Sequence, residues 1–305
     1  MMLIRGIEQL GQQHRPCVAS IGNFDGVHLG HQHIIKTLMS QAQQFSVPAT
    51  IITFEPLAKE YFAPKSVQRL TGIEQRSQLL FEQGVAQVLC IDFDADFARY
   101  TPQGFVAEVL VDGLGIKHLS VGDDFRFGKD RQGDFSMLST LGQQLGFEVD
   151  AHDTFEIDGQ RVSSGRVREA LSESNFVLAE KLLGRAYTID GLVVRGQQLG
   201  RTIDFPTANI LLPTMVAPLS GVFAVTVRWQ GRLINGVANV GTRPTVDGSE
   251  NRLEVHLFEF DEDLYDQAIS VEFVAKIRAE EKFDSIDLLK AQIAQDAQAA
   301  RALLG

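Results

Sequence analysis

The chain changes its hydrophobic period part-way along, and no other feature narrows its possible folds as much. In the first half, short β-rich runs alternate with helix-length segments. CVASI (17–21), ATIITF (49–54), AQVLCI (86–91), KHLSV (117–121) and FEVDA (147–151) read as strands. Between the first two, Ile34, Ile35, Leu38, Met39 and Ala42 recur on one helical face, and segments 74–83, 102–113 and 136–145 also read as helices. Strands joined by helix-length crossovers make βαβ units, so a parallel sheet covered on both faces is expected. Ligands of such sheets bind beyond the carboxyl ends of the strands. In the second half the helices drop out. Segments 187–194, 223–229, 233–240, 252–260 and 269–278 are strand-like and mostly separated by Gly and Pro turns. Leu253, Val255 and Leu257 alternate with Glu254 and His256, the period of a half-buried antiparallel strand. A small barrel or sandwich follows. A last helix is expected behind an N-cap at Asp284 or Ser285, with Ile286, Leu289 and Ile293 on its buried face. The boundary is placed near Gly184, giving domains 1–184 and 185–305.

Composition bounds the function. The 305 residues allow two domains, and the net charge of −11 argues against nucleic-acid or anionic-membrane partners, which need a cationic field. No apolar stretch approaches the roughly 18 residues that span a bilayer, and the start MMLIRGIEQLGQQHRP lacks the pattern of a secretory signal. Cys17 and Cys90 form no CxxC, which fits a reducing cytoplasm and excludes a four-cysteine zinc site.

Five segments bear chemistry. The first strand runs into IGNFDGVHLGHQHI (21–34), where His28 and His31 flank Gly30 at the start of a helix. Free N–H groups and the positive dipole end suit a phosphate there, and two imidazoles can donate to it as it gains charge. The plainer alternative is a histidine pair that only caps the helix. After the fourth strand comes VGDDFRFGKDRQGD (121–134). It is no Walker A loop, since five residues separate Gly122 and Gly128 and Asp130 stands where Ser or Thr belongs. Phe125 and Phe127 can hold an aromatic ring, or anchor a solvated loop. In VSSGRVREAL (162–171), Ser163 and Ser164 precede a helix with Arg166 and Arg168; a serine cap explains the serines, and a second phosphate site is the functional reading. GLVVRGQQLGRTIDFPTANI (191–210) holds a basic loop with Gly196, Gly200 and Arg201; Pro206 then fixes the chain before Thr207 and Asn209, whose side-chain oxygens suit Mg²⁺, although a turn followed by a strand is the plainer and favoured reading. NVGTRPT (239–245) has similar status. Glu254, on the polar side of its strand, is a solvated glutamate or a base for an attacking hydroxyl. The Asp92, Asp94, Asp96 series is no calcium loop, because Phe97 occupies the position that requires glycine.

Together and in this order, these motifs resemble the bacterial bifunctional riboflavin kinase/FMN adenylyltransferase (FAD synthetase) family over nearly the whole chain. FDGVHLGH, VGDDFRFGKDRQGD and SSGRVR resemble its adenylyltransferase half; LGRTIDFPTAN, GVFAV, NVGTRPT, LEVHLF and the tail RAEEKFDSIDLLKAQIAQD resemble its kinase half. The resemblance implies a Rossmann-like nucleotidyltransferase domain with a parallel sheet, then a six-stranded Greek-key β-barrel with a terminal helix. It implies that the C-terminal half phosphorylates riboflavin with ATP. There Thr207 and Asn209 hold Mg²⁺–ATP beside Pro206, Glu254 is the base, and Gly200 and Arg201 lie in a loop near the phosphates. It implies that the N-terminal half adenylylates FMN and releases pyrophosphate. There His28 and His31 serve the α-phosphate, and Gly22, Phe24, Asp25, Gly30, Ser163, Ser164 and Arg168 surround the nucleotide. Asp123, Phe125 and Phe127 form the flavin/nucleotide loop. Riboflavin, FMN and ATP are the implied partners, with no obligatory protein partner.

Four positions depart from the family pattern. Leu57 stands where the family has histidine in EPHP, Gly165 where it has threonine, and Asp204 and Asp266 where it has glycine. The expectation is that adenylyl transfer is retained, since HxGH and the arginines survive. A kinase with a degenerate adenylyltransferase domain, and a flavin-binding sensor without turnover, are the alternatives.

Overall fold

The computed structural model describes residues 1–63, 68–122, 124–195, 205–212, 217–245 and 248–305. They form two compact units: Met1–Val67 with Ile73–Ser163, and Gln68–Gly72 with Ser164–Gly305.

The first unit contains the five expected strands, β2 (Val18–Ile21), β3 (Ala49–Glu55), β4 (Gln87–Asp92), β5 (His118–Val121) and β6 (Glu148–Ala151). A sixth, β1 (Met2–Arg5), pairs with β4 at one edge. Its four residues carry too little periodicity to announce a strand. The order is β1-β4-β3-β2-β5-β6, and every pairing is parallel. From β2 the chain goes outward through β3 to β4, then returns to lay β5 and β6 on the other side. The crevice at that reversal lies between the carboxyl ends of β2 and β5.

Alternation along the strands builds two cores. Val18, Ile51 and Val88 pack with Ile35 and Leu38 of α1 (Leu29–Phe45) and Leu80 of α3 (Ile73–Glu82), α2 (Ala58–Phe62) being a short helix before it. Ala19, Ile52, Leu89 and Leu119 pack on the other face with Val106 and Leu110 and with Leu138 of α5 (Phe135–Leu145). The expected helix over 102–113 is present but irregular. One α-turn, α4 (Pro102–Gly104), is capped by Thr101 Oγ1, which accepts from the Gly104 N–H at 3.1 Å, and it widens into a π-helix over Phe105–Gly113. A hairpin of β7 (Glu156–Ile157) and β8 (Gln160–Arg161) ends the unit.

The second unit begins with α6 (Ser164–Ser172) and α7 (Phe176–Leu183). Its strands are β9 (Thr188–Val194), β10 (Ala208–Leu211), β11 (Gly221–Trp229), β12 (Arg232–Thr245), β13 (Gly248–Leu257) and β14 (Ala268–Arg278). They close into an antiparallel barrel in the order β10-β13-β12-β11-β14-β9. The compact units divide at Ser163/Ser164, and within the second α7 packs on barrel strands. Phe176 meets Phe223 and Phe273 with ring centroids at 6.1 and 6.4 Å. The strap 68–72 joins the same unit, its Leu70 carbonyl accepting from the Tyr187 hydroxyl at 3.1 Å.

The last helix, α8 (Ile286–Leu304), starts at Ser285, whose Oγ accepts from the Leu288 N–H at 3.2 Å. Its buried face differs from expectation. Ile286 is 68 % exposed, and the deepest contacts are Asp296, Ala297 and Ala300. Small alanines let the helix approach Val222, Ala224 and Val237 closely, and Asp296 is drawn in by Arg278. That pair is bidentate: Arg278 Nε donates to Asp296 Oδ1 at 2.9 Å and Nη2 to Oδ2 at 2.7 Å. The two side chains are 20 % and 4 % exposed, so removing one partner strands a desolvated charge. Asp296→Ala is therefore expected to lower the stability of the barrel unit by about 3–5 kcal/mol. Replacing both partners with apolar residues is expected to cost less. Urea unfolding followed by the single tryptophan, Trp229, on the barrel strand β11, checks this.

Candidate functional site

The crevice at the sheet reversal receives the histidine motif. After β2 the chain turns sharply, with φ of 47° at Phe24, 82° at Gly26 and 42° at Val27. Phe and the β-branched Val are strained in the left-handed region, so the surroundings must hold them there. Burial does part of this, since Phe24 and Val27 are 2 % and 1 % exposed. Two donors do more, Arg76 Nη1 at 2.8 Å and Thr53 Oγ1 at 3.2 Å, both on the Asn23 carbonyl. Gly22 and the buried Asp25 lie in this turn.

His28 then caps α1. Its Nδ1 accepts from the His31 N–H at 3.2 Å, which puts the ring proton on Nε2 and makes Nε2 the donor. The His28 and His31 rings stack with centroids 3.6 Å apart and 16° between planes. His31 is held neutral, well below the usual histidine range. Burial is the main cause, and the charges of His28, Arg76, His152 and Arg161 add to it. Space at Gly30 is tight. A Cβ there would stand 3.1 Å from the Val162 carbonyl and 3.1 Å from the His28 ring. The segment entering Ser163 therefore backs the histidine helix. Arg161 is a residue that motif reading passed over; its only sequence signal is its place two residues before the serines. Ser163 closes the first unit, while Ser164 and Arg168 belong to the second, where Arg168 Nε donates to the Gln68 carbonyl at 2.5 Å. His152 bridges β2 and β5, its two ring nitrogens 3.1 Å from Ser20 Oγ and 2.7 Å from Ser120 Oγ. Burial chiefly lowers its pKa to about 4.

Phe125 and Phe127 stack on each other at 5.5 Å and 12°. With Phe54, Phe62, Phe93, Phe97, Tyr100 and Phe105 they line a cavity of about 770 Å³, rimmed by Arg126, Lys129 and Arg131. Such a space takes a flat aromatic ligand, and its rim suits an anion. Asp123 lies outside the described residues.

The barrel holds a second constellation. Asn209 on β10 is paired with Glu254 on β13, and Glu254 with Asn239 on β12. Residues in register across adjacent strands project to the same face. Leu253 and Val255, on the other face, are fully buried. Glu254 and Asn239 line a cavity of about 280 Å³ beside Leu289 and Ile293 of α8. A second cavity, of about 620 Å³, is lined by Pro206, Ala208 and the stretch from Phe260 to Tyr265. Thr207 lines both. The Asn209 amide nitrogen donates to the Thr207 carbonyl at 3.3 Å, and His256 Nδ1 to the Pro206 carbonyl at 2.9 Å. Gly200 and Arg201 lie outside the described residues.

The FAD synthetase family model matches residues 10–166, and the riboflavin kinase model matches residues 183–304. The bifunctional riboflavin kinase/FMN adenylyltransferase of Escherichia coli strain K12 is 47 % identical over 100 % of this chain and 98 % of its own. Those of Pseudomonas fluorescens and Haemophilus influenzae are 46 % and 45 % identical, each over 99 % of this chain and over 98 % and 99 % of their own. The chain belongs to this family. It is a transferase whose adenylyltransferase half comes first and whose kinase half comes second. A crystal structure described as a macrolide-efflux protein from Streptococcus pneumoniae is similar at a TM-score of 0.77 and 30 % identity, over 99 % of each chain; its contribution is the fold. Among the described residues, no helix is long and apolar enough to cross a membrane.

Two of the four departures find a physical setting. Leu57 is 2 % exposed and starts α2, its N–H bonded to Glu60 Oε2 at 2.9 Å, so an apolar side chain fills the adenylyltransferase position that carries histidine in the family. Asp266 has φ 61°, the conformation that explains a glycine there in the family and that Asp adopts at modest cost. Asp204 lies outside the described residues, and nothing in the structure explains Gly165.

Proposed function

We propose that the chain carries out two consecutive reactions of flavin cofactor synthesis, in domains 1–184 and 185–305. In the kinase half, the ribityl 5′-hydroxyl of riboflavin attacks the γ-phosphorus of ATP, the bond to the β–γ bridging oxygen breaks, and FMN and ADP result. The Asn209–Glu254–Asn239 register is the observation that carries this half. It sets a carboxylate between two amides at the wall of the smaller cavity, and Thr207 joins that cavity to the larger one. Glu254 takes the hydroxyl proton, and Gly200, Arg201 and Pro206 belong to the ATP side. Mg²⁺ fits the donor set of Thr207 hydroxyl and Asn209 amide oxygen, since the cation prefers hard oxygen ligands. When bound it neutralises phosphate charge.

In the adenylyltransferase half, an FMN phosphate oxygen attacks the α-phosphorus of a second ATP. The bond to the α–β bridging oxygen breaks, giving FAD and pyrophosphate. His28 Nε2 and His31 donate to the α-phosphate as charge accumulates. Gly22, Phe24, Asp25 and Gly30 shape the nucleotide side, while Ser163, Ser164 and Arg168 hold the leaving pyrophosphate. The aromatic cavity of Phe125 and Phe127 holds the isoalloxazine, with Asp123 in the same loop. The enzyme works in the cytoplasm, where its substrates are, and needs no protein partner.

A chromatographic time course tests the assignment. With riboflavin, ATP and Mg²⁺ the purified chain is expected to form FMN and then FAD; with FMN it forms FAD directly. Chelating the metal stops FMN formation. FMN formed at an undiminished rate in excess chelator would remove Mg²⁺ from the kinase assignment.

A further inference from the structure

We propose that Arg76 of α3 is a positioning residue for adenylyl transfer, its buried guanidinium tying the carboxyl ends of β2 and β3 together and so fixing the turn that aims His28 and His31. The inference rests on the assignment of those two histidines to the reacting phosphate.

The Arg76 side chain is fully buried, while its partner Glu55 keeps 20 % of its side chain exposed. Nη1 donates to the Asn23 carbonyl at 2.8 Å; Nη2 donates to the Glu55 carboxylate at 3.2 Å and to the Phe54 carbonyl at 3.5 Å. One planar fork thus reaches two strand ends at once. Lysine, a point charge on a flexible stem, has no such geometry. Burying a cation is costly unless it is paired and hydrogen-bonded, so this arrangement is not explained as generic core filling. What it holds is the strained turn. Asn23 directly precedes Phe24, Gly26 and Val27 with their positive φ values, and Val27 directly precedes the capping His28. Strained backbone persists only where its surroundings over-determine it; Arg76 and Thr53 hold the Asn23 end of the turn, and Gln32 Nε2 holds its other end through the Val27 carbonyl at 3.0 Å.

Arg76 also acts through charge. His31 faces His28 on its own helix end, Arg76 from α3, His152 beyond β6 and Arg161 on β8, with Phe24 against its ring and Asp25 in the same turn. Burial is the first cause of its low pKa, and Arg76 is among the cations that add to it. Removing that charge moves the folded-state pKa of His31 upward, toward the ordinary value. The acid limb of the adenylylation rate, where His31 takes up a proton, then moves to higher pH.

Geometry and charge separate in two variants. Arg76→Lys keeps the charge and loses the fork; Arg76→Met loses both. The full-length chain is assayed for kcat and KM of FMN adenylylation across pH; thermal melting by far-UV circular dichroism reports that the first unit is folded, and riboflavin phosphorylation by the same molecules reports on the second. Arg76→Lys is expected to lower kcat about ten- to a hundredfold, with a smaller change in KM for FMN and the acid limb in place. Arg76→Met is expected to lower kcat at least as far and to shift the limb to higher pH. Should Arg76→Met fail to fold, Arg76→Lys alone decides the question through kcat. Wild-type kcat in Arg76→Lys overturns the proposal, as does a loss of adenylyl transfer matched by an equal loss of phosphorylation. His31→Gln, run alongside, keeps the two ideas apart. Normal adenylylation by His31→Gln sinks the histidine assignment, whereas an impaired His31→Gln beside an unaffected Arg76→Lys sinks this inference alone.

Discussion

His28→Ala yields a chain that converts riboflavin to FMN and stops there. The expected loss of FMN adenylylation is about a hundred- to a thousandfold, the usual effect of removing one preorganised donor to developing charge. Riboflavin phosphorylation is expected to stay within about twofold, because that reaction is assigned to other residues, in the second unit. The argument starts from the tautomer. His28 Nδ1 is occupied by the His31 N–H, so the proton sits on Nε2, the atom that donates to the α-phosphate in the proposed step. The helix dipole and the free N–H groups of the first turn act in the same direction.

One confounding effect is built into the structure. His28 is also the N-cap of α1, so alanine removes a cap worth roughly 0.5–2 kcal/mol as well as the imidazole. His28→Asn separates the two. Asparagine is among the best N-cap residues, so this variant is expected to keep the melting temperature and still lose FAD formation. An asparagine variant that adenylylates FMN at the parent rate would mean that the side chain serves only as a cap, the plainer alternative that the sequence left open.

How far the sequence reached can be seen residue by residue. The parallel sheet was legible because β2, β3, β4 and β5 are largely buried apolar runs set between helices of the right length. β1 is four residues long and owes its place to pairing with β4, which no local pattern encodes, whereas the strand read after Pro206 is β10. The histidine pair stood out because its members are three apart on one helix end. The aromatic cavity did not, because Phe54 on β3, Phe62 on α2, and Phe93 and Tyr100 after β4 are spread along the sequence and meet only after folding. The same holds for Asn239. The segment NVGTRPT drew notice, but only the register of β12 on β13 brings this asparagine beside Glu254. Arg76 was invisible for another reason. An arginine within an amphipathic helix reads as a solvated face, and here it is buried on two strand ends. On α8, periodicity gave Ile286 to the buried side, where the barrel is out of reach of the first turn.

Glu254→Gln is expected to do the reverse of His28→Ala. Fed riboflavin, the variant makes neither FMN nor FAD at an appreciable rate; fed FMN, it makes FAD normally. Loss of a general base costs about 10²–10⁴-fold in kcat. Glutamine keeps the size of the side chain, so the KM for riboflavin changes much less than kcat. The structure also names the competitor. His256 lies two residues further along β13 on the same face and lines the same cavity. Its Nδ1 donates to the Pro206 carbonyl, which leaves Nε2 unprotonated, and burial lowers its pKa, so it too is a base near neutral pH. Register argues for Glu254, because Glu254 and not His256 is paired with Asn209, close in sequence to Thr207, to which the metal is assigned in the proposal. Kinetics of the two variants decide between them. If Glu254 is the base, Glu254→Gln loses kcat at every pH, while His256→Gln changes mainly the KM for ATP through the loosened Pro206–Thr207 segment. If the losses are exchanged, the base is His256, and the carboxylate serves to orient the two asparagines.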